Sequence, residues 1–257
     1  SNTDWFLGCE DCIGLPEERA IVQIGLNHGL VVVAISSSNR RHKCWDGARD
    51  VQPVGKVLKE LSSRYQRSSP LPIFAFGASS GGYFVSGIAT PLKKEFGLTL
   101  EGYVSQIAAV GKDDAASCQV YITMNRDRMT DNDAQVLTAP TTTSSKSEIK
   151  RLHIRIPSLA LSNDYFASRI PEVTLDQSRR MIQALSSAGL LDSEGYLLDD
   201  PRRSPWRETL HTIVDPNDDS LQADQSPISE VMNVAYGMHE MTRDGVQDAL
   251  DFCLGTS

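Results

Sequence analysis

The residues with the clearest chemical potential are Gly77-Ala78-Ser79-Ser80-Gly81-Gly82, which follow the apolar run Ile73-Phe74-Ala75-Phe76 and precede a helical stretch beginning near Tyr83. Strand, then Gly77-x-Ser79-x-Gly81, then helix is the setting in which a serine becomes a nucleophile. A serine at the apex of a strained turn projects its hydroxyl above the carboxyl end of the strand, and glycines two before and two after leave room for neighbouring backbone. The N–H of Ser80 would open the following helix and meet the oxyanion of an acyl-transfer intermediate, where one placed donor contributes about 3 kcal/mol. Gly77 and Gly81 complete that oxyanion and substrate-binding set, and Gly82 lets the helix approach closely. Ser80, in a looser small-x-Ser-x-small frame, is the second candidate for the nucleophile.

A serine needs a base, and a base needs an orienting acid. In strand-to-helix elbows of this kind the chain order is nucleophile, acid, histidine, and His153, His211 and His239 are the histidines that follow Ser79. His153 falls in a strand-like run and reads as a packed or edge residue, while His211 lies in a region of different character. His239, in Tyr236-Gly237-Met238-His239-Glu240-Met241-Thr242 just before the last helix, is the best placed base. For the acid, Asp127 follows the run Gln119 to Thr123 at the right point and would fix the imidazole tautomer and stabilise the imidazolium. Asp131 and Asp133 share its neighbourhood, and Asp164 follows a later strand. An aspartate in such a loop is ordinarily a cap or turn residue.

Five cysteines do not suggest a disulfide framework. Cys9-x-x-Cys12 with His42-Lys43-Cys44 has some of the character of a zinc site, but the second pair is spaced by a single residue. Structural thiols, with a disulfide among Cys9, Cys12 and Cys44 as an alternative, are the preferred reading. No metal and no organic cofactor is expected.

The elements that must hold these residues alternate. Pro16 to Leu26 has proline at a first helical position, acids in the first turn and apolar residues at helical spacing. Leu30-Val31-Val32-Val33-Ala34-Ile35 is a continuous β-branched run, as expected of a parallel strand buried on both faces. Val51 to Tyr65 predicts a helix, Ile73 to Phe76 a strand and Tyr83 to Lys94 a helix. Gly102 to Ala108, Gln119 to Met124 and Leu152 to Leu161 are further strands, the last at an edge or ending early because of Pro157. Ala139 to Lys146 and Asp215 to Gln225 read as loops. The alternation predicts an α/β fold with a mostly parallel sheet flanked by helices, in one domain over 1–257. Residues 163–230, with a helix from Leu175 to Ala188, form an inserted helical cap or lid. No internal repeat is present.

At 257 residues and a net charge of -8 the chain is long enough for one large core and is too acidic for a delocalised contact with phosphate backbones or anionic lipid. Nucleic acid is not an expected partner. No apolar run approaches the roughly 20 residues that cross a bilayer, so no stable membrane insertion is expected, and no signal peptide is visible. The compartment and the oligomeric state stay open.

Taken together, Cys9-x-x-Cys12-Ile13-Gly14-Leu15-Pro16-Glu17-Glu18, Lys43-Cys44-Trp45, Gly77 to Phe84 and His239-Glu240-Met241-Thr242 resemble a group of plant and algal α/β-hydrolase superfamily proteins over most of the chain. The resemblance implies an α/β-hydrolase fold with a Ser79, Asp127, His239 triad and implies no particular substrate. The superfamily has a strand ending in a His-Gly-type turn that supplies a second oxyanion N–H, and Ser1 to Phe6 looks like the residues just beyond that turn. Either that strand precedes residue 1 or the sheet has been rebuilt without it. The leading expectation is therefore a serine hydrolase acting on a small-molecule carboxylic ester or related acyl bond. The alternative is a non-catalytic, receptor-like ligand-binding protein of the same fold.

Overall fold

A computed structural model describes residues 5, 14–65, 71–109, 111, 113–138, 149–214 and 226–256. Its centre is a four-stranded parallel sheet in the order β1-β2-β3-β4, formed by Ile73–Ala78, Leu100–Gln106, Cys118–Met124 and Lys150–Ile156. Parallel strands need crossover connections and are covered on both faces. One face carries α2 (Gly47–Arg64), α3 (Ser80–Val85), α4 (Ala89–Phe96) and α5 (Arg128–Thr138); the other carries α1 (Pro16–Asn27) and α10 (Val246–Leu254).

The two-residue period of the strands assigns side chains to these layers. Tyr103 and Tyr121 point into the core with Val54, Phe84 and Leu92, and their hydroxyls meet at 2.7 Å. Val104, Val120 and Ile122 point the other way, against Ile21, Val246 and Leu250. Cys118 of β3 and Cys253 of α10 are joined by a disulfide across that second layer. The sequence reading did not single out this pair, because its members lie 135 residues apart and share no spacing pattern. Cys44 is a free, exposed thiol; Cys9 and Cys12 lie outside the described residues.

Helix boundaries follow local chemistry. Asp46 caps α2 by accepting from the N–H groups of Ala48 and Arg49, and Thr174 and Gln177 form a reciprocal capping box at the start of α7 (Leu175–Ser187). The single helix expected over Tyr83 to Lys94 is two, α3 and α4. The break at Ser86 to Ile88 is held by the Ser86 hydroxyl, which donates to the Tyr83 carbonyl and accepts from the N–H of Gly111. β4 ends at Ile156, immediately before Pro157.

Leu30 to Ile35 departs from expectation. The run has no regular secondary structure and pairs with no strand among the described residues, and Val31 and Val33 are 62% and 43% exposed. It faces β1 across a cavity of about 670 Å³ lined mainly by apolar side chains, among them Leu58, Phe74 and Phe76. A β-branched run is compatible with a buried strand, but a hydrogen-bonded neighbour on the sheet decides the outcome, and the described residues supply none.

Beyond β4 the chain forms a helical layer of α6 (Tyr165–Arg169), α7, α8 (Trp206–Leu210) and α9 (Pro227–Tyr236), with its own core around Trp206, Phe166, Leu185, Leu210 and Met232. Residues 215–225, within the expected cap, lie outside the described residues, as do 139–148. A buried ionic knot joins this layer to α1 and to the segment before α10. Arg169 donates to Glu17 at 2.9 Å and to Asp244 at 2.6 Å, while Glu17 also accepts from Thr242 Oγ1 and the Arg243 N–H. No helix among the described residues is long and apolar enough to cross a membrane.

Candidate active site

Ser79 sits between β1 and α3 with φ 53° and ψ −120°, a conformation that costs a side-chain-bearing residue of order 1–3 kcal/mol and persists only where its surroundings enforce it. The enforcement is visible. The Ser79 N–H donates to the carbonyl of Gln106 at the end of β2. A Cβ on Gly77 would stand 2.3 Å from the Gly81 carbonyl oxygen, and one on Gly82 would stand 2.6 Å from Ala108 Cβ. These glycines are required for the closeness of strand, turn and helix.

The result is an exposed Ser79 hydroxyl whose Oγ lies 3.1 Å from His239 Nε2. On the far side of the ring, Nδ1 lies 2.7 Å from Asp127 Oδ2. Asp127 is buried, whereas the His239 side chain is 45% exposed. The structure thus brings together Ser79, His239 and Asp127 from three different loops. The arrangement matches what proton abstraction requires: a hydroxyl within reach of a ring nitrogen, and a carboxylate on the other nitrogen that holds the N–H there.

The loops are tied to each other. The Arg126 N–H donates to the Gly237 carbonyl, and the Arg126 guanidinium covers the Tyr236 ring at 4.0 Å. Gly237, at φ 78°, ends α9 where a Cβ would meet Asn125 Oδ1 at 2.9 Å. The fully buried Gln106 receives the Ser79 N–H on its carbonyl, while its side-chain amide accepts from the Thr242 N–H and donates to the Thr242 carbonyl. One residue at the end of β2 therefore positions both the serine turn and the segment after His239.

His239 also has a left-handed backbone, φ 46°. Arg202, from the turn between α7 and α8, donates to the carbonyls of Met238 and His239 at 3.0 and 2.9 Å and to the Glu240 carboxylate at 3.2 Å. Burial pushes the Glu240 carboxyl up, and hydrogen bonds from Asn233 and the Met241 N–H act against that shift. Gln106, Arg202 and Asn233 were not identified from sequence, since each acts through contacts distant in the chain.

The other candidates are placed elsewhere. Ser80 Oγ accepts from the Trp45 N–H; its own N–H, at the first position of α3, has no acceptor within its helix. Gly81 lies against the Trp45 indole. Asp131 accepts from Thr123 and Gln135 and pairs with Arg155 at 3.0 Å. His153 contacts Thr123 at 2.7 Å, and burial holds its pKa below the usual histidine value. Asp164 accepts from Ser162 next to α6, His211 follows α8 on the surface, and the Asp133 side chain lies outside the described residues. Among the described residues, no group of three or more His, Cys, Asp or Glu side chains could hold a metal ion. The cavity beside β1 reaches Gly77, Ala78 and Gly81 but is not lined by Ser79, His239 or Asp127. No protein-family model matches this chain, and neither a curated protein nor a solved structure does.

Proposed function

We propose that the protein is a serine hydrolase of the α/β-hydrolase type that cleaves a carboxylic ester or related acyl bond. The observation carrying this reading is the relay Ser79 Oγ, His239 Nε2, His239 Nδ1, Asp127 Oδ2, with steps of 3.1 and 2.7 Å. As Ser79 Oγ bonds to the acyl carbon, His239 Nε2 takes the hydroxyl proton and the carbonyl electron pair moves onto oxygen, toward the Ser80 N–H. Collapse of the tetrahedral species expels the alcohol, which receives the proton from His239. Water then enters by the same route, releasing the acid and restoring Ser79. Asp127 accepts the Nδ1–H of His239 throughout and stabilises the imidazolium. The helical layer of α6 to α9 serves as the wall that selects the acyl or alcohol part. A receptor-like reading would leave both the serine–histidine contact and the strained backbone at Ser79 without a use. Incubation with a fluorophosphonate probe should label the wild-type protein at one serine, and Ser79→Ala should abolish labelling. A folded wild-type protein that stays unlabelled overturns the proposal.

A further inference from the structure

We propose that Arg202 is a positioning residue for His239, so that the helical layer around Trp206 controls the reactivity of Ser79. This rests on the hydrolase reading of the Ser79 site.

The geometry has three parts. First, His239 carries a left-handed backbone on a β-carbon-bearing residue, a conformation that the segment would leave without outside restraint. Second, the restraint is a cation with several acceptors. Arg202 Nη1 reaches the Met238 carbonyl, and Nη2 reaches both the His239 carbonyl and the Glu240 carboxylate. A planar guanidinium fixes two successive carbonyls at once, which an ammonium on a flexible stem does not. Third, Arg202 is itself preset. Its N–H donates to Asp200 Oδ1 at 3.0 Å, and the carbonyl of the preceding Pro201 accepts from the indole N–H of the fully buried Trp206 at 2.9 Å. Asn233 of α9 donates to the same Glu240 Oε2 at 2.8 Å. The path from Trp206 through Pro201, Arg202 and the His239 carbonyl to the imidazole consists of short direct contacts, and Arg202 touches neither Ser79 nor Asp127 in it.

A base displaced by about 1 Å costs on the order of 10²-fold in rate, so the effect should fall on the bond-forming step rather than on binding. The experiment measures fluorophosphonate inactivation of the full chain, separating the saturation constant from the limiting rate. Arg202→Ala should lower the limiting rate about 10²-fold and leave the saturation constant nearly unchanged. Arg202→Lys, which keeps the charge but not the fork, should fall roughly 10-fold and supplies the folded comparison if the alanine variant melts early. In a His239→Ala background, Arg202→Ala should change the residual rate by less than about twofold, because a residue acting only through the base has nothing left to act on. Arg202 variants that label at the wild-type rate, or a further large loss in the His239→Ala background, would overturn the assignment while leaving the hydrolase reading standing. An unlabelled wild-type protein overturns both.

Discussion

The helical layer around Trp206 is built from sequence in which apolar and charged residues mix, the run Leu30 to Ile35 from apolar residues alone, and they end differently. In the first, Phe166, Leu185, Trp206, Leu210 and Met232 are fully buried against each other, and polar links carry that rigidity to the His239 loop. In the second, every residue from 30 to 35 is apolar, yet Val31 and Val33 are largely exposed and the whole run borders a cavity. Apolar content sets what a segment gains if it is covered; whether it is covered depends on a facing surface of matching shape and, for a strand, on a neighbour for its N–H and C=O groups. The molecule's ordered chemistry lies where helices close on each other, not where the sequence is most apolar.

That contrast can be broken by substitution. The largest expected effect is Trp206→Ala, which empties the centre of the helical layer and removes the donor to Pro201. It should cost about 3–5 kcal/mol in denaturant unfolding and slow Ser79 labelling in the fraction that stays folded. Unchanged stability would mean that the layer is not a packed core. Next is Cys253→Ser, which opens the bridge between β3 and α10. A loss of about 2–4 kcal/mol by the same measurement is expected, with the midpoint of the wild type falling similarly under reductant.

A smaller effect, dependent on pH, comes from Glu230 of α9. Burial, with the Glu18 carboxyl beside it, holds its pKa well above the ordinary 4.5. The folded state thus binds a proton more tightly than the unfolded chain, so this group's contribution is fully present below pH 4.5 and is lost as pH rises through the folded value. Glu230→Gln can still accept from the Glu17 N–H, as the native carboxylate does, and should flatten the fall in thermal midpoint as pH rises above the ordinary 4.5. Parallel slopes for wild type and variant would remove Glu230 from the account. The smallest effect is at the exposed run. Val33→Ser should change stability by no more than about 0.5 kcal/mol, and a loss of several would show that the run is covered in solution.

Legibility in the sequence followed the range of the interactions. The turn from Gly77 to Gly82 could be read because its requirements are local: a strand must stop, a serine must adopt a left-handed backbone, and the flanking Gly77 and Gly82 must admit backbone within 3 Å of where a Cβ would be. Helix starts at Pro16 and Thr174 were equally local. His239 and Asp127 required a rule of chain order in addition, since nothing near either residue distinguishes it from a cap or a surface group. Arg202, Gln106 and the Cys118–Cys253 bridge carried no usable signal. Their partners lie tens to more than a hundred residues away, and arginine, glutamine and cysteine at those positions fit many environments.

The sequence by itself determined the alternation of helices and strands from Val51 to Ile156 in outline, the strained serine turn and the residue types able to form a proton relay, because each depends on neighbours within a few positions. Only the tertiary structure decided that the imidazole of His239 stands between Ser79 and Asp127, that Arg202 and Gln106 hold its loop, and that Leu30 to Ile35 stays outside the sheet. Those outcomes depend on which surfaces meet, and the pattern of a single segment does not encode its partner's position.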